Sequence, residues 1–165
     1  MKDQFHKISR IIVNECVHRD IDTLVIGINH EWKDNVSMRK SQKQTFIQIP
    51  FAQLISMIRY KAEEYGIEVI ETEESYTSKA SFLDNDEMPI YSKSNKCDNS
   101  DKHGFSGFSG RRIKRGLYRT SDGTVMNADV NGAFNILRKV FPTKISIDVV
   151  RDSGGLDSPV VSTVA

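Results

Sequence analysis

The chain has 165 residues, of which 38% are hydrophobic and 27% charged, with a formal net charge of +1. This composition is typical of a globular chain and excludes a wholly disordered one. The polar N-terminus predicts no secretory signal, and no apolar run approaches the roughly 20 residues of a membrane helix. The two cysteines, Cys16 and Cys97, make neither a disulfide framework nor a zinc site. We therefore expect a cytoplasmic protein.

The first half of the chain predicts a helix, a strand, a second helix and a second strand. Apolar residues recur at helical spacing over Phe5–Cys16, and Ile21–Ile28 is a β-branched run typical of a strand buried on both faces. After a polar loop, Pro50 and Gly66 bound a second helix of about 16 residues, and Ile67–Thr72 follows as the second strand. This succession predicts a right-handed βαβ unit with two parallel strands. The apolar face of its helix is expected to carry Phe51, Leu54, Ile55, Ile58, Ala62 and Tyr65.

The second half is less regular. Ser75–Gly110 is rich in Ser, Asn, Asp and Gly and predicts a surface insertion. Two short strands are expected over Leu117–Thr120 and Thr124–Met126, and a third helix over Asp129–Val140. The apolar face of this helix is expected to carry Val130, Ala133, Phe134 and Leu137. We accordingly divide the chain into residues 1–74, an irregular basic insertion at 75–120, a final motif and helix at 121–142, and a flexible tail at 143–165.

Charge is distributed unevenly along the chain. Acidic residues concentrate between Glu71 and Glu87, whereas the segment from Lys102 to Arg119 contains no acid. The most closely spaced cations there are Arg111, Arg112, Lys114, Arg115 and Arg119. Because guanidinium groups match phosphate oxygens, this basic block predicts contact with a nucleic-acid backbone. The alternative is a solvated, flexible basic loop.

One acid stands at the start of the third predicted helix. Asp129 lies within Asn127–Ala133, and an acid in the first helical turn is ordinarily explained by capping and by the helix dipole. The functional alternative is a carboxylate ligand for Mg²⁺. Nucleases of that kind hold two metals about 4 Å apart with several clustered carboxylates, so one aspartate is not sufficient.

Four sequence blocks occur in the order found in the TnpB/OrfB proteins of insertion sequences, which the chain resembles from Phe5 to Pro142. The blocks are Phe46–Phe51, Tyr60–Val69, Glu74–Lys79 and Asn127–Ile136. The resemblance implies an α/β fold: a partial RNase H-like (RuvC) domain whose short parallel sheet is flanked by helices, with an irregular insertion replacing a zinc ribbon. It also implies a transposase-associated, RNA-guided, Mg²⁺-dependent DNA endonuclease of the prokaryotic cytoplasm, with DNA and guide RNA as partners.

The resemblance also assigns site residues, and the chain departs from the family at several of them. Asp129 matches the third metal-binding acid, whereas no motif matches the first catalytic aspartate, and Gly27 stands where the family has a glutamate. Either catalysis has been lost or another carboxylate has replaced this glutamate. Glu74 and then Glu73 are our choices, because both follow the strand beside that of Gly27; the alternative is that they are solvated loop acids. No zinc is expected, because Ala80–Asp84 occupies the place of a Cys-x-x-Cys pair.

These expectations describe the C-terminal part of a TnpB/OrfB-type protein that binds nucleic acid and does not cut DNA alone. Two alternatives stay open, namely a nuclease-dead nucleic-acid-binding module and a decayed remnant without function.

Overall fold

The computed structural model describes residues 2–28, 50–89, 107–143 and 145. Within them, the chain is a small α/β protein with three helices and five strands, as the α/β expectation requires. In chain order these are α1 (Lys2–His18), β1 (Thr23–Ile28), α2 (Phe51–Glu63), β2 (Glu68–Glu73), β3 (Arg111–Lys114), β4 (Leu117–Arg119), β5 (Val125–Asn127) and α3 (Ala128–Val140). None of the helices in these ranges is long and apolar enough to span a membrane. The predicted polar loop after β1 lies outside the described residues, as does the predicted tail apart from residues 143 and 145.

The chain divides into two compact units, the first of which ends at Glu73. Its sheet consists of β1 and β2, which pair in parallel from Thr23 opposite Glu68 to Ile28 opposite Glu73. The parallel pairing predicted from the strand–helix–strand pattern is therefore confirmed. β1 begins two residues later than predicted, because a turn at Asp20, whose φ is 55°, follows α1 and leaves Ile21 38% exposed.

The core of the first unit lies between one face of this sheet and the two helices. Buried apolar side chains of α1, α2 and the approach to β2 form it, with half-buried residues of both strands packed against them. The buried members are Val13, Cys16, Ile58, Ala62 and Ile67. Tyr65, predicted on the same helical face, is instead 52% exposed, because α2 ends at Glu63 and the positive φ of Gly66 turns the chain toward β2.

A buried lysine joins the two helices of this unit. The side chain of Lys61 is only 4% exposed, and its Nζ donates hydrogen bonds of 2.7 Å to the carbonyl oxygen of His6 and to Oγ of Ser9. Burial lowers the pKa of the Lys61 ammonium, and the positive charge of Arg10 adds to this effect. The two acceptors on α1 compensate part of the cost of removing a charge from water.

The second unit begins at Glu74 and contains an antiparallel sheet in the order β3–β4–β5. Tyr118 of β4 and Met126 of β5 are 0% and 1% exposed and form a core with Phe82, Leu83 and Ala128. Phe134 of α3 stacks on Phe82 with 4.8 Å between ring centroids. The turn between β4 and β5 uses Gly123 at a φ of 89°, as the Ser-Asp-Gly sequence predicts.

Two predictions for the second unit are wrong. The sequence predicts no strand over Arg111–Lys114, but β3 forms there, because its backbone pairs with β4 although all four side chains are exposed. On α3, the sequence predicts Ala133 in the apolar face, but Ala133 is exposed. The buried positions of this helix are largely polar: Asn131, Asn135 and Arg138, together with Ala128.

Candidate nucleic-acid interface and acidic site

Asp129 lies in the first turn of α3, but it does not cap the helix. The side chain of Asn127 caps it by accepting hydrogen bonds from the backbone N–H groups of Asp129 and Val130, at 2.8 and 3.2 Å. The Asp129 side chain is 80% exposed, and its carboxylate points into solvent beside the helix N-terminus. Side-chain capping therefore does not explain this aspartate.

The nearest charge partner of Asp129 is an arginine from the basic block. Nη2 of Arg112 lies 3.9 Å from Oδ1 of Asp129, and the two side chains are 48% and 80% exposed. A pair this long and this exposed contributes little to stability, roughly 0–1 kcal/mol. The pair matters because it brings the candidate metal ligand, Asp129, close to the candidate phosphate-binding segment.

The other two candidate acids lie at the end of β2. Glu73 is the last residue of the strand and is opposite Ile28, whereas Gly27 is opposite Thr72. Because side chains alternate between the faces of a strand, Glu73 projects from the face opposite to that of Gly27. Glu74 is the first residue beyond the strand, and its carbonyl oxygen accepts hydrogen bonds from the backbone N–H and the hydroxyl of Thr77.

These acids do not form a metal site within the described ranges. No three His, Cys, Asp or Glu side chains there lie close enough together to hold a metal ion. Asp129 is a single exposed carboxylate, and a two-metal nuclease site needs several convergent ones. The described residues therefore do not fit Mg²⁺ by themselves.

The basic block is divided between the two faces of the antiparallel sheet. Arg112 is opposite Tyr118, whose partner on β5 is the buried Met126. Arg111 is opposite Arg119 and therefore belongs to the other face. A register shift between Arg112 and Lys114 indicates a bulge, and Lys114 is opposite Leu117. Arg115 is exposed in the turn that leads to Gly116, whose φ is 77°.

The asparagines of the α3 motif hold the loop of residues 77–86. Asn131 accepts from the backbone N–H of Phe82 and donates to the carbonyl oxygen of Ala80, at 2.9 and 2.8 Å. Asn135 donates to the carbonyl oxygens of Thr77 and Ala80, at 2.9 and 2.7 Å. Two sequence blocks more than 40 residues apart, Glu74–Lys79 and Asn127–Ile136, therefore belong to one hydrogen-bonded structure.

The family profile described as "Cas12f1-like, TNB domain" matches residues 51–136, which is just over half of the chain. The chain belongs to the Cas12f1-like TNB domain family. No curated protein matches it. The structure described as "Cryo-EM structure of the Cas12f1-sgRNA-target DNA complex" matches with 19% identity and a TM-score of 0.49, covering 82% of this chain. The chain spans 32% of that protein's length.

Two carboxylates of this TNB-family chain fasten the loop of residues 77–86 within itself and to residues that flank β3 and β4. Asp84 accepts from the backbone N–H and the hydroxyl of Ser121, and Asp86 accepts from the backbone N–H groups of Ser81 and Ser109. Burial raises the pKa of the Asp84 carboxyl, but hydrogen bonds from Ser121 and Ser81 outweigh it, so that the pKa lies below its usual 3.8. The ionised carboxylate is thus the form that the fold stabilises.

Sequence reasoning did not identify the groups that organise the second unit of the TNB-family chain. Arg138 is buried and donates to the carbonyl oxygen of Asp86 and to Oδ1 of Asn85, both at 2.7 Å. The available signal was the spacing of Asn131, Asn135 and Arg138, which places three polar residues on one helical face. The apolar positions of that helix instead predict a different buried face, and the sequence by itself gives the polar stripe no role.

Proposed function

We propose that this chain supplies a nucleic-acid-binding unit and one metal-binding carboxylate to an RNA-guided, Mg²⁺-dependent DNA endonuclease of the TnpB/Cas12f type. The family membership supports the class of protein. The first unit, with its parallel βαβ arrangement, is consistent with part of a RuvC-like RNase H fold. DNA and guide RNA are the partners that this proposal requires.

The observation that carries the nucleic-acid part is the exposure of the basic edge strand. All four residues of β3 are exposed, and the turn and the adjoining strand extend its positive charge. The proposed phosphate contacts are Arg111, Arg112, Lys114, Arg115 and Arg119. Exposed cations held on a sheet suit backbone phosphates. A phosphate contact needs an accessible positive charge and does not need a pocket that recognises a base.

We further propose Asp129 as the carboxylate that the chain offers to Mg²⁺, with Glu74 and then Glu73 as replacements for the missing glutamate at Gly27. The exposed position of Asp129 at a helix N-terminus supports its role. Side chains alternate between the two faces of a strand, so Glu73 projects from the face opposite to that of Gly27. Glu74 follows the strand and is not held on that opposite face, which is why we place it before Glu73.

The proposal is tested by nucleic-acid binding of the full chain, measured by fluorescence anisotropy with labelled DNA and RNA. We expect affinity to fall steeply between about 50 and 200 mM salt, because binding to phosphates releases counterions. The variant in which Arg111, Arg112, Lys114 and Arg115 become Ala should lose this binding.

The matched control removes four cations from α1 and the turn after it instead, by changing Lys2, Lys7, Arg10 and Arg19 to Ala. It has the same net charge and should retain the binding, provided that circular dichroism shows both variants to be folded. If the chain is folded and its affinity for nucleic acid does not change with salt, the proposal is contradicted. If the chain neither folds nor binds, the result supports the alternative that it is a decayed remnant without function.

A further inference from the structure

The outer face of the antiparallel sheet carries a row of residues that spans all three strands. Tyr118 and Met126 are almost fully buried, so one face of the sheet covers the core of the second unit. Their neighbours Arg119 and Val125 project from the opposite face, and both are exposed. Arg111 completes this row, because it is opposite Arg119.

The row places two like charges directly opposite each other. Residues paired across antiparallel strands have Cβ atoms about 4.5–5.5 Å apart, and like charges in such pairs repel. Among the described residues, no acid lies within salt-bridge distance of Arg111 or Arg119. Arg112, on the core side, differs in having Asp129 at 3.9 Å. Within the described residues, this cross-strand pair of arginines therefore has no acidic partner in a salt bridge.

A third cation lies in the next row on the same face. Lys114 is opposite Leu117, which is two residues from Arg119 along β4. Two residues of a strand span about 6.8 Å, whereas the charges of one nucleic-acid strand are about 3.4 Å apart along a duplex axis. The two rows are thus far enough apart to meet different phosphates of one strand.

We infer that Arg111 and Arg119 form a phosphodiester-binding site on the outer face of the sheet, with Lys114 contacting a neighbouring phosphate, and that Arg112 is outside this site. An anionic phosphate between the two guanidinium groups neutralises their repulsion and accepts two-pronged hydrogen bonds. The inference rests on the proposed function, since it takes the nucleic-acid-binding role as given and divides the basic block into two faces.

Single substitutions in the full chain test the division. Each of Arg111→Gln, Arg119→Gln and Arg112→Gln removes one positive charge. Any difference in affinity between these variants therefore reflects where the arginine lies on the sheet. Affinity for single-stranded DNA, for RNA of the same sequence and for duplex DNA is measured as a function of salt. For duplex DNA, Arg111→Gln and Arg119→Gln should each reduce the slope of log affinity against log salt by about 0.9, and Arg112→Gln by clearly less. Arg19→Gln in the turn after α1, the charge-matched control, should leave the slope unchanged.

A second readout separates lost binding from lost folding. Without nucleic acid, Arg119→Gln should raise the melting temperature at low salt, because it removes the repulsion with Arg111. Weaker binding by a more stable protein supports the site, whereas a destabilised Arg119→Gln variant would overturn it. If these variants bind both DNA and RNA more weakly, the ligand is the phosphate backbone that the two share. If they bind only one of the two more weakly, that nucleic acid is the ligand.

The failure of this inference differs from the failure of the proposed function. If the wild-type chain binds with a salt dependence that Arg112→Gln reduces as much as Arg119→Gln, the division into faces is wrong and the proposed function stands. If the wild-type chain binds neither DNA nor RNA, both are wrong.

Discussion

Gly110 lies against the ring of Tyr118, where the absence of a side chain allows the close approach. A Cβ atom at Gly110 would come within 2.6 Å of Cε1 of Tyr118 and 2.7 Å of the carbonyl oxygen of Arg119. Both neighbours are fixed, since Tyr118 is fully buried and its hydroxyl donates to the carbonyl oxygen of Lys79 at 2.7 Å. Burial, with the nearby charges of Asp86 and Asp84, raises the pKa of Tyr118 to about 12, so that this donor keeps its proton at neutral pH.

Gly110→Ala should therefore lower the free energy of unfolding of the second unit by about 1–3 kcal/mol, as overpacked cores do. Denaturation by urea, followed by circular dichroism, measures the change. Gly132→Ala is the control, because a Cβ there meets no atom within 4 Å. In a helix this change should stabilise by up to about 1 kcal/mol. Equal stability of the two variants would show that the region around Tyr118 relaxes without cost.

Asp84 makes the stability of the second unit dependent on pH. Its pKa lies below the usual 3.8 in the folded chain, so the unfolded chain takes up the proton first as the pH falls. The contribution of Asp84 is complete above 3.8 and is lost as the pH decreases through the lower, folded value. Asp84→Asn should be less stable than wild type at neutral pH and should lose less stability on acidification. Urea midpoints across this range test the difference; parallel curves for the two proteins would contradict it.

At the scale of elements, α3 and the loop of residues 77–86 fold as one structure. Asn131→Ala leaves the N–H of Phe82 without its side-chain partner, whereas the carbonyl oxygen of Ala80 keeps its hydrogen bond from Asn135. Because an unsatisfied buried polar group costs about 1–3 kcal/mol, we expect a loss of that order in the free energy of unfolding. Amide hydrogen exchange gives the specific test, since the Phe82 amide should exchange faster in this variant. Ala133→Ser, at an exposed position of the same helix, should leave that rate unchanged.

The elements differ in how well the sequence predicts them. The βαβ pattern is local and apolar, so periodicity and the flanking Pro50 and Gly66 were enough to place α2 and both parallel strands. β3 has no apolar alternation, because all its side chains are exposed and only backbone pairing with β4 makes it a strand. The polar face of α3 was missed for a related reason: its partners are backbone groups of a distant loop, which no sequence period reveals.

At the scale of the whole chain, the sequence was informative about family and less so about geometry. The ordered blocks led to the TnpB/OrfB resemblance, and the family profile confirms it over residues 51–136. Of the candidate site residues, Asp129 and the basic block belong to the same unit, and Arg112 connects them. That connection depends on strand register, and a bulge between Arg112 and Lys114 sets this register in a way the sequence does not indicate.

Magnesium tests what the chain does by itself. A two-metal site requires several convergent carboxylates, whereas in the described part of the chain no three metal-binding side chains come together and Arg112 is the salt-bridge partner of Asp129. Mg²⁺ should therefore raise the melting temperature no more than a monovalent salt of equal ionic strength, and DNA should stay uncut.

Asp129→Asn extends the magnesium test to nucleic-acid binding. Removing the carboxylate frees Arg112 from its acidic neighbour, so binding should be retained or slightly tightened. Mg²⁺-dependent cleavage that Asp129→Asn abolishes would contradict this prediction. In that case, residues outside the described ranges or a second copy of the chain would have to complete the metal site, and Glu74→Gln would be the next variant to examine.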